Sequence, residues 1–201
     1  WLDFEFDTSD CLYVRIDKKK KVLVTTFLQA LGMKREEILP KFYQADIIHV
    51  KNETFYKKVD DNLIGLRIEK DMLPASQEKK FLGRRVTQDV LKALQEANVT
   101  SVQMSKTLLL NKVARNDIVD KTTGEVLVGQ GDTLIDATII VLAQHNGLEI
   151  DLINSLGYTF QPTMAISLSH DSSMTHEDAL HEIHAKVWPG DVDRKSTRLN
   201  S

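Results

Sequence analysis

The segment Gly83-RRVTQDVLKALQEANVTSVQM matches Gly131-DTLIDATIIVLAQHNGLEIDL at a constant shift of 48 residues, Gly83 onto Gly131. Apolar positions pair along the match: Val86 with Leu134, Leu91 with Ile139, Leu94 with Leu142, Val102 with Ile150, Met104 with Leu152. Each copy (83–104 and 131–152) reads as helix, tight turn, strand. Thr87 and Asp136 are candidate N-caps, and Asn98 and Asn146 follow the helices, where asparagine tolerates left-handed backbone. A unit of this size cannot bury a core by itself, so two of them imply a paired module.

The flanking sequence carries other periods. Leu2, Phe4 and Phe6 alternate with acidic residues in Trp1–Asp7, Thr8-Ser9-Asp10 is turn chemistry, and Leu12, Val14 and Ile16 alternate again, which predicts a hairpin. Lys18, Lys19, Lys20 and Lys21 then form a short connection to a helix whose apolar stripe is Val24, Phe27, Leu28 and Leu31, ended by Gly32. Lys34–Tyr43 offers a second helix, with Glu36 and Glu37 in its first turn, Ile38, Leu39 and Phe42 on its apolar face, and Pro40 predicting a kink or a late start. From Asp46 onward, Ile47, Ile48 and Val50, then Phe55 and Val59, then Leu63, Leu66 and Ile68 read as short strands, and Thr123-Gly124 marks a hairpin turn. The fold class expected is α+β, with small mixed sheets, short helices and an inserted module holding the two repeated units.

Composition narrows the function classes. The chain has 201 residues, 42% hydrophobic and 27% charged, which is enough for one or two domains with a core. Its net charge is −3, so any nucleic-acid surface must be local. A single cysteine, Cys11, rules out a disulfide framework and fits a reducing compartment, here the cytoplasm. No apolar run approaches the roughly 18 residues of a membrane span. The chain opens on Trp1 in mid-strand, which reads as a piece of a longer protein. The end, Asp193-RKSTRLNS, resembles the in-frame translation of a sequencing-library adapter. Residues 193–201 are therefore expected to be non-native and to pack against nothing, since Leu199 is their one apolar residue.

Few residues suggest chemistry. Arg15 and Lys18–Lys21 place dense positive charge on a scaffold fixed at both ends, a means of holding a polyanion, although a solvated turn would look the same. His176, His181 and His184 with Glu177 and Glu182 lack zincin spacing and a cysteine, and read as exposed helix residues. Gly129-Gln130-Gly131 lacks the rest of a phosphate loop and reads as a turn. Asp117 and Asp120 bracket a hairpin and read as turn-formers. No nucleophile–base pair, catalytic residue or metal ligand is assigned.

Three stretches carry a resemblance to one family. Trp1-LDFEFD followed by VRIDKKKK and TTFLQALG resembles the lobe region of the bacterial DNA-directed RNA polymerase β subunit, which reads W-L-D-F-E-F-D, R-I-D-R-R-R-K-L-P and a helix ending A-L. Lys112-VARNDIVDKTTGE resembles its lineage-specific insertion, through Lys112, Val113, Ala114, Asp117, Ile118, Asp120, Thr123, Gly124 and Glu125. Ala179, Leu180, Glu182, Ile183, Pro189 and Gly190 match E-A-L-x-E-I-Y-R-x-x-R-P-G-[DE]. The sequence departs in using lysines for arginines, which loses the bidentate phosphate fork, in Leu23 for proline, and in His184, Ala185 and Trp188 for tyrosine and two arginines.

The resemblance implies a lobe segment (residues 1–45 with 157–192) interrupted by an inserted module (46–156), with Trp1–Tyr43 and Tyr158–Asp191 packing together. It implies a non-catalytic piece of a nucleotidyltransferase that helps enclose DNA. Arg15 and Lys18–Lys21 would be the DNA-binding residues, and Mg2+ would be held by a partner subunit. The implied partners are DNA, the β′, α and σ subunits, and proteins meeting the insertion, with no membrane. The rival class is a stand-alone adaptor of two repeated α/β modules that binds proteins.

Overall fold

Alternation of apolar and acidic residues folds the start of the chain into an antiparallel pair, β1 (Asp3–Phe6) and β2 (Leu12–Asp17). Its turn is held by Asp7, whose Oδ1 accepts from the backbone N–H of Ser9 and Cys11, both at 2.9 Å. The computed structural model describes residues 2–17, 20–154 and 162–189, without the Asp17 side chain. Lys18, Lys19 and the 193–201 tail thus lie outside the described residues. Two compact units divide the chain, residues 2–42 with 162–189 and residues 43–154 among those described.

In the first unit a third strand, β3 (Lys20–Leu23), returns along β2 with Val22 opposite Val14 and both buried. This corrects the expected lysine connection, because Lys20 and Lys21 are strand residues. Burying Val22 and Leu23 requires the chain to double back before any helix begins. Helix α1 (Val24–Ala30) starts directly from β3, so the strand sets its rotational phase. Its buried residues are Val24, Thr25, Thr26 and Gln29, whereas Leu31 of the expected stripe is 69% exposed. Gln29 can face inward because its Nε2 donates to buried Asp171 at 3.0 Å. The helix ends as expected. Gly32, at φ 95°, donates to the Gln29 carbonyl and Met33 donates to that of Leu28, a Schellman closure. Helix α2 (Arg35–Phe42) buries Ile38 and Leu39, leaves Phe42 half exposed, and runs through Pro40 rather than starting late.

In the second unit, β4 (Ala45–Lys51) and β5 (Thr54–Lys58) form a hairpin whose two turn residues, Asn52 and Glu53, both have positive φ, as a type I′ turn requires. A 3-10 turn at Asp61–Leu63 follows, and Val59, Leu63, Leu66 and Ile68, expected in strands, all lie outside them. Then come α3 (Ala75–Phe81), α4 (Gln88–Glu96), β6 (Ser101–Met104), α5 (Lys106–Leu109), β7 (Ile118–Val119), β8 (Val126–Val128), α6 (Asp136–Ala143) and β9 (Glu149–Ile153). Strands β6-β5-β4-β9 make one antiparallel sheet, and β7 pairs with β8 around the Gly124 turn. The core is centred on Phe55, Phe81, Leu94, Leu109, Leu134 and Ile139.

The same backbone bonds occur twice in this unit. Gly65 donates to Val86, Ile68 to Arg84, Gly83 to Ile68 and Val86 to Leu66. Asn111 donates to Leu134, Ala114 to Asp132, Gly131 to Ala114 and Leu134 to Lys112. The strands follow suit, with Lys57 opposite Val102 and Ile48 opposite Ile150, then Phe55 opposite Met104 and Asp46 opposite Leu152. Strand β5 therefore serves the first helix–strand segment and β4 the second, which places Asp46 where the other half has Phe55. Thr87 caps α4 by accepting from Val90. Asp136 is instead the first residue of α6, after Ile135, whose N–H donates to Thr138 Oγ1 at 2.9 Å. Asn98 is left-handed at φ 56°, but in the second turn Gly147 takes the positive φ, where glycine meets no steric cost. The side chain of Asn146 accepts from the Asn52 N–H.

The chain returns to the first unit with α7 (Thr163–His170) and α8 (His176–Val187). A capping box opens α8: Thr175 Oγ1 accepts from Asp178 N–H and the Asp178 carboxylate accepts from Thr175 N–H. Arg35 ties α2 to the α7–α8 connection by donating to the carbonyls of Leu168, Asp171 and Ser173.

Candidate nucleic-acid interface

Arg15, Lys20 and Lys21 of the β2–β3 hairpin are held by named partners. Arg15 and Lys21 are cross-strand neighbours, and the register shifts between Arg15 and Asp17, leaving Ile16 as an extra residue before the tip. Both cations converge on Glu5 of β1. Arg15 forms an ion pair with Glu5 Oε2, and Lys21 Nζ lies 3.0 Å from Oε1. The Lys21 ammonium also lies 4.4 Å from the centre of the Tyr13 ring. Lys20 points elsewhere, donating to the Val187 carbonyl at 2.6 Å, where the last turn of α8 favours a cation. Arg15, Lys20 and Lys21 are thus brought to one hairpin, but Lys20 is separated from the pair on Glu5.

Glu5 was missed as part of this site. The available signal was the acidic alternation of Asp3, Glu5 and Asp7, which the hairpin register sets beside β2; Asp3 lies opposite Arg15. Asp3 and Glu5 on β1 are thus set against Arg15 and Lys21, two acids to two bases. Hydrogen bonds from Lys21 and then Arg15 hold the Glu5 carboxyl below its ordinary value of 4.5. Because the folded value is the lower one, this tether stabilises the hairpin above pH 4.5 and is lost as the pH falls through the depressed value. In an NMR titration, the Lys21 side-chain signals should move in that acid range in the parent chain and markedly less in Glu5→Gln. Equal movement in both would show that Glu5 does not hold Lys21.

The remaining candidates resolve locally. Asp120 Oδ1 accepts from Thr122 N–H at 2.8 Å and builds its turn, whereas Asp117 Oδ1 accepts at 2.7 Å from the N–H of Gln130, across the β7–β8 hairpin. Gly129 N–H donates to Asp132 Oδ2 and Gly131 N–H to the Ala114 carbonyl, which occupies the donors a phosphate would need. His176 Nδ1 is 2.8 Å from the Gln29 carbonyl, and the His184 ring lies 5.4 Å from that of Trp188. Among the described residues no three His, Cys, Asp or Glu side chains converge to hold a metal ion, and no helix is long and apolar enough to cross a membrane.

No family model matches the chain. Individual relatives do, and three of them are described alike. The DNA-directed RNA polymerase subunit beta of Syntrophotalea carbinolica is 35% identical over 198 residues, 95% of this chain and 14% of the relative. That of Anaeromyxobacter dehalogenans is 32% identical over 220 aligned residues, 100% of the chain and 15% of the relative. That of Sorangium cellulosum is 31% identical over 193 residues, 95% of the chain. The chain belongs to the bacterial RNA polymerase β-subunit family, as a segment spanning about a seventh of the relatives it matches. The matched span runs through both units, so a stand-alone two-module adaptor is not favoured.

Proposed function

We propose that this chain serves as part of the lobe of a DNA-directed RNA polymerase, helping to enclose the downstream duplex. The observation that carries the reading is the match to β subunits over 95–100% of the chain. In this reading the unit built from residues 2–42 and 162–189 is the lobe segment, and residues 43–154 are a lineage-specific insertion that offers a surface to protein partners. Nucleotidyl transfer and its magnesium belong to the rest of the cytoplasmic enzyme, with β′ holding the metal and α and σ completing the assembly. The lobe segment contributes positive charge at its hairpin end, and phosphate contacts of that kind position DNA without reading its sequence.

The test is a hybrid β subunit in which residues 1–192 of this chain replace the aligned segment of the Syntrophotalea carbinolica protein. A photo-cross-linking residue is placed at Tyr13, beside Lys21. The hybrid should assemble with the other subunits, transcribe, and cross-link to downstream duplex DNA in a promoter complex. An assembled, active hybrid that never cross-links there would remove this hairpin from the DNA path.

A further inference from the structure

A surface groove of about 490 Å3 opens in the second unit between the end of α3 and the first turns of α4. Lys80, Arg84 and Arg85 line it together with Asp89, and Phe81 and Val90 supply an apolar wall. Arg85 forms an antiparallel bridge with Arg67, so two arginines stand directly opposite each other. Arg67, Arg84 and Arg85 are all exposed. Arg67 Nε donates to the Gly83 carbonyl at 3.1 Å, a bond that steers its guanidinium without neutralising it. Among the described residues no carboxylate forms an ion pair with any of the three arginines.

The duplicated backbone supplies an internal control. The matching bridge in the other half joins Val113 and Thr133. The position equivalent to Arg84, from the matching bonds of Ile68 and Ala114, is Asp132. One copy of this turn is therefore built with hydrocarbon, hydroxyl and carboxylate, and the other with three arginines. Like charges set directly opposite one another destabilise a strand pair, so the arginines work against the turn they close and the fold does not account for them. A partner bearing carboxylates relieves that opposition, because each planar guanidinium takes a carboxylate through two parallel hydrogen bonds.

We infer that this groove docks an acidic protein segment in which carboxylates alternate with apolar side chains, the carboxylates on Arg67, Arg84 and Arg85 and an apolar residue against Phe81 and Val90. The lining selects against a nucleic acid. Asp89 would face a backbone that carries a negative charge about every 1.7 Å of duplex, and the apolar wall would stay uncovered. Carboxylates spaced by apolar residues meet the arginines and pass Asp89 by. The inference deepens the reading of residues 43–154 as an insertion that meets protein partners, and it rests on that reading.

The probe is a short fluorescein-labelled peptide alternating glutamate and leucine, titrated with the 201-residue chain. The controls are the same peptide with glutamine for glutamate, and a single-stranded oligothymidylate. The acidic peptide should bind saturably, and both controls should bind more weakly. Arg67→Val/Arg85→Thr installs the residues of the other half. It should weaken the acidic peptide by about tenfold, since exposed ion pairs contribute little apiece, while its urea midpoint stays at or above that of the parent. Lys106→Gln/Lys121→Gln removes the same charge from exposed residues outside the groove and should leave the affinity unchanged. Equal weakening in both variants, a lowered urea midpoint in the arginine variant, or oligothymidylate bound as tightly as the peptide would overturn the assignment. The titration uses no other subunit, so its result is independent of whether the hybrid polymerase assembles and transcribes, which tests the underlying reading.

Discussion

Replacing Lys18, Lys19, Lys20 and Lys21 together with alanine in the hybrid polymerase will flatten the dependence of promoter-complex affinity on salt. Each phosphate neutralised contributes roughly −0.9 to the slope of log affinity against log salt, so four lysines set a ceiling of about 3.6 units. The structure lowers that expectation. Lys21 is committed to Glu5 and to the Tyr13 ring, and Lys20 to the Val187 carbonyl, so a phosphate must displace those partners to engage either. About two units is the expected change, equivalent to roughly 16-fold less affinity lost between 50 and 200 mM salt. The effect should be the same on unrelated DNA sequences, because phosphate contacts carry no base information. Glu5→Gln is the matching opposite variant: releasing Arg15 and Lys21 should steepen the slope. Promoter-complex lifetimes across a salt series measure both. An unchanged slope in the alanine variant would reduce the lysines to a solvated hairpin end.

Asp46→Ala should be among the most destabilising single changes in the second unit. It leaves the Lys57 ammonium, 7% exposed, without its carboxylate. Removing one partner of a buried pair typically costs about 3–5 kcal/mol, a loss of roughly 10 °C or more in Tm for a unit of this size. Lys57→Ile should cost less, because Asp46 keeps Lys112 as a neighbour. The double variant Asp46→Leu/Lys57→Ile removes both charges and supplies side chains like those at the equivalent positions, Phe55 and Ile48. It should recover to within about 1 kcal/mol of the parent. Urea unfolding followed by circular dichroism gives all three values. A double variant as unstable as the two singles added together would show that the pair holds the hairpin through something other than mutual neutralisation.

Local chemistry was legible wherever one residue decides one geometry. Gly32 ended its helix, Thr87 capped α4, Gly124 turned the β7–β8 hairpin, and the alternation in Trp1–Asp7 and Leu12–Ile16 paired as read. Family membership was legible too, through the motifs of Trp1–Gly32, Lys112–Glu125 and Ala179–Gly190 that resemble the β subunit. The errors fell where a neighbour in space outranks periodicity. The stripe Val24, Phe27, Leu28, Leu31 predicts one buried face of α1, but β3 sets the helix phase and Asp171 receives Gln29, so Thr25, Thr26 and Gln29 turn inward. A run of four lysines cannot announce a strand, since only the burial of Val22 against Val14 makes Lys20 and Lys21 part of one.

The basic site divides in the same way. The sequence determined which residues are cationic and that they are adjacent. Only the tertiary structure decided their partners, because the register of β1 against β2 delivers Glu5 to Arg15 and Lys21, while Val187 of α8, 167 residues from Lys20, supplies the carbonyl that holds its ammonium. Helix and turn signals are written within a few residues and survive reading along the chain. Charge pairing and helix phase depend on groups brought close by burial of a distant core, and those distances exist only once the chain has folded.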